Sequence, residues 1–202
     1  MKKQSRFIGL FKANKMPIVV FLIVLVVVWT IGTVTLIAVQ PRVRMWFTQR
    51  ELTDTEKPTL DGLAPLNQFI HGDRLVTHQF RRVVRANNDV LYSSAWLDLS
   101  DEPIVLHVPD MQDRYYCFQM LDNWTYNFAY VGRRTTGTAE GNFAIVGPGW
   151  EGTLPKNVKR IDAPTNTVWL IGRTLVKSQQ EVEEVHALTK QFTLTPLGQY
   201  ED

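Results

Sequence analysis

The chain has 202 residues, 45% of them hydrophobic and 21% charged, and a formal net charge of +2. Five of its 22 Lys and Arg fall in the first fifteen residues, which hold no acid, leaving 17 bases against 20 acids in the rest. A mildly acidic body with no stripe of basic and aromatic residues argues against a nucleic-acid partner, because phosphate binding needs concentrated positive charge. The single cysteine, Cys117, excludes an intrachain disulfide and a thiolate zinc cluster. Set in RYYCFQML, it reads as a small buried hydrophobe.

Residues 1–17 read as a basic cytoplasmic tail. Residues 18–39, IVVFLIVLVVVWTIGTVTLIAV, carry no charged side chain. At a rise of about 1.5 Å per residue this run extends roughly 33 Å, close to the hydrocarbon thickness of a bilayer. A lone span in lipid must satisfy its own backbone, so it is expected as a transmembrane helix despite many β-branched residues. It is longer than the apolar region of a cleaved signal peptide, and no small-residue cleavage pattern follows it. The lipid bilayer is therefore the first expected partner. The excess of Lys and Arg before the run places the N-terminus in the cytoplasm and the rest outside, periplasmic if the source is Gram-negative. Residues 40–57 read as a juxtamembrane connector that continues the helix a turn or two beyond Pro41, with Trp46 and Phe47 suited to the outer interface.

Residues 58–202 read as an extracytoplasmic β-rich domain. Leu63, Leu66 and Ile70 fall at helical spacing, and Gly72 would end a short helix. From Arg81 the period changes to two. In VLYSSAWLDL, Leu91, Ser93, Ala95, Leu97 and Leu99 share one face, and Tyr92, Ser94, Trp96 and Asp98 the other. Ile104, Leu106 and Val108 form the inner row of the next strand, and RYYCFQML, NFAYVG, NFAIVG and TVWLIGRTLV supply four more. Near the end, Ser178 and Glu181 have the spacing of a capping box. Val182, Val185, Leu188 and Phe192 follow as an apolar helical stripe, stopped by Thr195-Pro196. Short strands, Gly/Pro/Asp turns and one late helix predict a mainly β, antiparallel sandwich or barrel.

Motifs that carry chemistry are scarce. GRRTTGTAEG lacks the Lys of a phosphate-binding loop, and no dinucleotide fingerprint is present, so no cofactor is implied. His71, His78, His107 and His186 form no metal-ligand pair. No nucleophile elbow surrounds Ser93 or Ser94, so no catalytic residue is assigned. Polar residues inside apolar strands are more informative. Arg173 in WLIGRTLV must reach solvent or a carboxylate, since an unpaired buried charge is costly. Asp122 begins a turn or points into a cleft, and Arg133 and Arg134 flank a loop.

Taken in order, NQFIH (67–71), RANNDVLYSSAWLDLS (85–100), LHVPD (106–110), RYYCFQMLDNWTYNFA (114–129), GRRTTG (132–137), IVGPGW (145–150), IGRT (171–174) and VHALTKQFTLTPL (185–197) resemble the domain-of-unknown-function family numbered 1254. Ala86 stands where the family commonly has Pro, and Val90 where it has Thr. The resemblance implies a sandwich or jelly-roll-like domain. It marks Asn67, His71, Asn87, Asn88, Asp89, Tyr92, Asp122, Trp124, Arg133, Thr135 and Arg173 as signature positions. It also implies a companion domain of the family numbered 1214, which usually follows in the same chain. Because this sequence stops at Asp202, the companion is expected from a second membrane-anchored protein. The resemblance names no reaction. Asn87-Asn88-Asp89 is expected to set the entry of a strand, since Asn and Asp bond their own backbone in turns. The alternative is that Asn88, Asp89, Tyr92 and His71 line a polar cleft. The function expected is an interaction or assembly module. The alternative is a ligand-binding or enzymatic domain working through Asp89, His71 and Asp122.

Overall fold

The computed structural model describes residues 16–59, 62–79 and 85–201. They fall into two compact units, the first ending at Pro41 and the second beginning at Arg42. Helix α1, Met16–Thr53, is long and apolar enough to cross a membrane, and none of its most apolar stretch is buried in the protein. The helix extends further past Pro41 than expected. Proline at that point removes one backbone donor but leaves the following turns able to bond. Beyond Arg42 the helix belongs to the second unit, where Met45 is buried and the Leu52 carbonyl accepts the Ala64 amide at 3.1 Å.

The second unit contains β1 (Ile70–His71), β2 (Val90–Asp98), β3 (Ile104–Val108), β4 (Tyr116–Leu121), β5 (Asn127–Gly132), β6 (Gly141–Val146), β7 (Val158–Asp162), β8 (Thr167–Leu175), α2 (Val182–Thr189) and β9 (Thr193–Pro196). They build a first sheet in the order β1-β2-β8-β4-β5 and a second in the order β7-β6-β3-β9. The period-two rows read from the sequence turn inward. Ala95, Leu97 and Leu99 from β2 and its end, Ile104, Leu106 and Val108 from β3, Phe118 and Met120 from β4, and Val168 and Leu170 from β8 join one core shared by both sheets. At its centre Phe118 meets Phe192 edge-to-face, with ring centroids 4.8 Å apart. The close approach depends on Gly172, where a Cβ would come within 2.5 Å of the Phe118 ring.

Four expectations change. Residues 62–79 form no helix. Asn67 adopts φ 61°, and Ile70 and His71 pair with Ser94 and Ser93 as a short edge strand. Three apolar residues cannot outweigh the cost of nucleating a helix when an open strand edge offers the backbone bonds directly. The sheets are not wholly antiparallel, since β6 and β7 pair parallel. The capping box does not form. Ser178 makes no side-chain cap, and Glu181 instead accepts from the Arg114 guanidinium at 2.9 Å. A charge-assisted bond to arginine outweighs a neutral cap. Finally, Trp96, on the outward row of β2, is only 3% exposed and stacks on Trp169 at 4.9 Å. Its indole N–H has no partner among the described residues, whereas Trp169 donates to the Ser94 hydroxyl at 2.9 Å.

Candidate functional site

The signature positions occupy five separate places, and the strand register says how far apart they are. His71 lies on β1 opposite Ser93, with Nδ1 2.9 Å from the Ser93 hydroxyl. The rings of Phe69 and Phe192 flank it at 5.1 and 6.4 Å. Burial lowers its pKa from 6.5 to about 4, and the positive charges of His186 and Lys190 act in the same direction. The imidazole is therefore neutral at physiological pH. His186 reaches from α2 to the carbonyl of Gly72 at 3.1 Å, tying β1 to the helix. Ser93 is 1% exposed, so its hydroxyl is closed to a substrate. The pair holds the short edge strand in register.

Asn87, Asn88 and Asp89 are exposed. The Asn87 amide donates to the Tyr92 hydroxyl at 2.9 Å, and the Asp89 carbonyl accepts from the Val176 amide at 2.8 Å. These are bonds that start a strand. Tyr92 also meets Arg173, its cross-strand partner, whose guanidinium lies 5.7 Å from the ring centroid. Arg173 donates to Gln119 at 2.8 Å, and Gln119 donates to Asn127 at 2.6 Å. A polar ladder thus crosses four strands, β2-β8-β4-β5, on the outward face. Arg173 meets an amide and a ring rather than a carboxylate because its cross-strand neighbours are Tyr92 and Cys117. Cys117 is half-buried on the same face, and burial raises its thiol pKa against the pull of Arg173 and Arg134. That favours the unreactive thiol form.

Asp122 lies at the other end of the first sheet. It is 5% exposed, and its Oδ1 accepts from the amides of Trp124 and Tyr126 at 2.8 and 2.9 Å. The two bonds hold a tight turn in which Thr125 takes φ 71°, rare for a β-branched residue. Trp124 lies under the Arg42 guanidinium, 5.7 Å from its ring centroid. Arg133 forms a bidentate, exposed pair with Asp113 at 3.0 and 2.9 Å. The Thr135 hydroxyl closes the β5 turn on the Tyr130 carbonyl at 3.0 Å. Asn67 accepts from the Asp98 amide at 2.9 Å and its backbone amide donates to the Trp96 carbonyl, tying the segment ahead of β1 to the end of β2.

Leu121 is level with Trp169 and Trp96, and Asp89 lies seven residues before Trp96. Asp122 follows Leu121 by one residue in the same direction, so Asp89 and Asp122 are separated by eight residue levels, about 26 Å along the strands. The structure brings Asn87, Tyr92 and Arg173 together, and Asp122 with Trp124. It does not bring Asp89 to Asp122, and His71 faces inward where Tyr92 faces outward. Among the described residues no group of three His, Cys, Asp or Glu is placed to hold a metal ion. Ser93, Gln119, Asn127 and His186 complete these clusters but carry no local sequence signal, because each is recruited across strands.

A two-sheet, mostly β domain behind a long apolar helix, with its polar signature spent on turns and cross-strand ties, defines the class of this chain. The model of the family described as "Protein of unknown function (DUF1254)" matches residues 66–196, and the chain belongs to that family. Among solved structures it is similar to the VPA0106 protein from Vibrio parahaemolyticus, with 29% identity and a TM-score of 0.57. The match covers 67% of this chain and 31% of the Vibrio chain, so this chain spans less than a third of that protein. An uncharacterized protein from Burkholderia cenocepacia matches at 12% identity and a TM-score of 0.42, over 82% of this chain and 42% of its own. No curated protein matches.

Proposed function

We propose that this chain is a single-span membrane protein whose outer domain, a sandwich of jelly-roll type, is an interaction module that docks a companion domain of the family numbered 1214. The N-terminus is cytoplasmic and the β domain lies outside, periplasmic in a Gram-negative envelope. The apolar helix and the five basic residues ahead of it support the anchor and its direction.

The observation that carries the docking reading is the outward face of the first sheet. A solvated face alternates to polar residues. This one presents Cys117, Leu121, Trp169 and Ile171, all half-buried, and Tyr130, which is 44% exposed. In the Vibrio protein the similar fold makes up 31% of the chain, so there it works beside further polypeptide. Co-expression with the 1214-type protein of the same genome and purification in mild detergent tests the reading. The two chains are expected to purify together, and Ile171→Glu combined with Tyr130→Glu is expected to separate them without changing the circular dichroism spectrum. Separation of the unmodified chains would refute it. A reporter fused after Asp202 that is active only in the cytoplasm would refute the orientation.

A further inference from the structure

The outward face of the first sheet carries two arginines that the domain leaves without a counter-charge. Among the described residues, Arg74, Arg114, Arg133 and Arg160 meet carboxylates at 3.3, 2.9, 2.9 and 2.8 Å, whereas Arg173 and Arg134 form no ion pair. Arg173 is half-buried on β8, in one row with Ile171 and Trp169. Holding a charge partly out of water with no opposite charge beside it is costly.

The Arg173 side chain is also held in place. Its guanidinium donates to the Gln119 side-chain oxygen at 2.8 Å and lies over the Tyr92 ring. Gln119 is fixed in turn by its bond to Asn127, and Tyr92 by the bond its hydroxyl accepts from the Asn87 amide. Gln119 takes one guanidinium N–H. The other donors of the planar fork match a carboxylate, which arginine binds through two parallel bonds.

Register brings the second arginine to the same place. Cys117 has Arg173 as its cross-strand partner on one side and Gly132 on the other. Arg134 follows Gly132 by two residues and folds back over Tyr115, its guanidinium 5.4 Å from the ring centroid. Tyr115 lies two residues before Cys117 in the same row. Burial raises the Cys117 thiol pKa, and Arg173 and Arg134 both pull it down, so the two charges bear on one spot. Like charges converging on a half-buried surface repel, and an anion set between them relieves that repulsion. The surroundings fit a protein surface, since Trp, Tyr and Arg are the residue types that dominate protein–protein binding energy.

We propose that Arg173 and Arg134 form the charged centre of the docking face, and that the partner presents to them a carboxylate, an Asp or Glu side chain set in an apolar surface. This rests on the reading of the first sheet's outward face as a docking surface. The apolar neighbours exclude water from the contact, and the fork of Arg173 sets the partner's register.

The full chain co-purified with its 1214-type companion in mild detergent provides the test. Arg173→Gln and Arg134→Gln, with circular dichroism unchanged, are each expected to weaken binding by about tenfold or more. Arg160→Gln, whose guanidinium pairs with Asp162 inside the domain, is expected to bind as the unmodified chain does. In the Arg173→Lys chain, a water-soluble carbodiimide is expected to join the substituted amine to an Asp or Glu of the companion as an amide, located by mass spectrometry. A complex that forms but tolerates Arg173→Gln and Arg134→Gln together within about twofold would overturn the carboxylate contact and leave docking intact. Weakened binding with no cross-link from position 173 to the companion would overturn it in favour of a structural role within the sheet. Unmodified chains that do not associate would overturn the docking reading, and this contact with it.

Discussion

The two sheets share one core but differ in their outer faces. On the second sheet, Val105, Ala144, Val146 and Val158 point away from the core, yet the chain covers them itself with Trp150, Leu154, Leu197 and Tyr200. On the first sheet, the outward apolar residues Cys117, Leu121, Trp169 and Ile171 are only half-buried. One polypeptide thus covers the outer apolar residues of one sheet with its own chain and leaves those of the other half-buried. The lesson concerns cost. An apolar residue on an outward strand row stabilises the domain only to the extent that something covers it. Similar residue types on the two sheets should therefore contribute differently to stability.

Substitutions can break that comparison. The largest effect is expected where both sheets meet. Phe118→Ala should destabilise the domain by about 3–5 kcal/mol, because the cavity would open among Phe69, Tyr116 and Phe192. Thermal unfolding of the full chain in detergent reads it, and a loss below 1 kcal/mol would mean the sheets do not share the core. Next is pH. His71 has a folded pKa of about 4 against an ordinary 6.5, so the unfolded chain takes up the proton first as the pH falls. Its contribution is fully present above pH 6.5 and is lost toward pH 4, on the order of 3 kcal/mol. His71→Asn should flatten that part of the stability profile, and an unchanged slope would remove His71 as its source.

The sharpest comparison follows. Trp150→Ala uncovers the second sheet and should cost about 2 kcal/mol, while Ile171→Ser on the first should cost about 0.5–1 kcal/mol and act on partner binding instead. Equal losses would erase the distinction between the faces. Asp122→Ala, which frees two turn amides, is expected to cost about 1–2 kcal/mol. Asp89→Asn is expected to change stability by less than about 0.5 kcal/mol, since only its backbone is engaged. A large loss there would reveal a side-chain role that the exposed carboxylate does not display.

Much of this was legible along the chain. The inward rows of β2, β3, β4 and β8 could be read from alternation, because a pleated strand sorts its residues by face with no outside help. The uncharged run likewise declared a helix, since its composition leaves no other way to satisfy its backbone in an apolar medium. The bend at Asn87-Asn88-Asp89 was expected from side chains bonding their own backbone, whereas its bonds run from the backbone to Tyr92 and Val176. The alternation and the uncharged run are local properties, set within a few residues of one another.

Everything that depended on distant neighbours had to wait for the fold. Leu63, Leu66 and Ile70 had helical spacing, but Ile70 joined a sheet edge with His71, because pairing with Ser94 and Ser93 offered more than an isolated turn of helix. Glu181 left its expected cap for Arg114, 67 positions away. Trp96 belonged to an outward row and is buried all the same, stacked on Trp169 from a strand more than 70 residues later. Asp89 and Asp122, close in chemical type, lie at opposite ends of one sheet because register alone fixes that separation. Periodicity decides which way a side chain points. What it meets there is decided by sheet order and register, which arise from contacts that no local stretch contains.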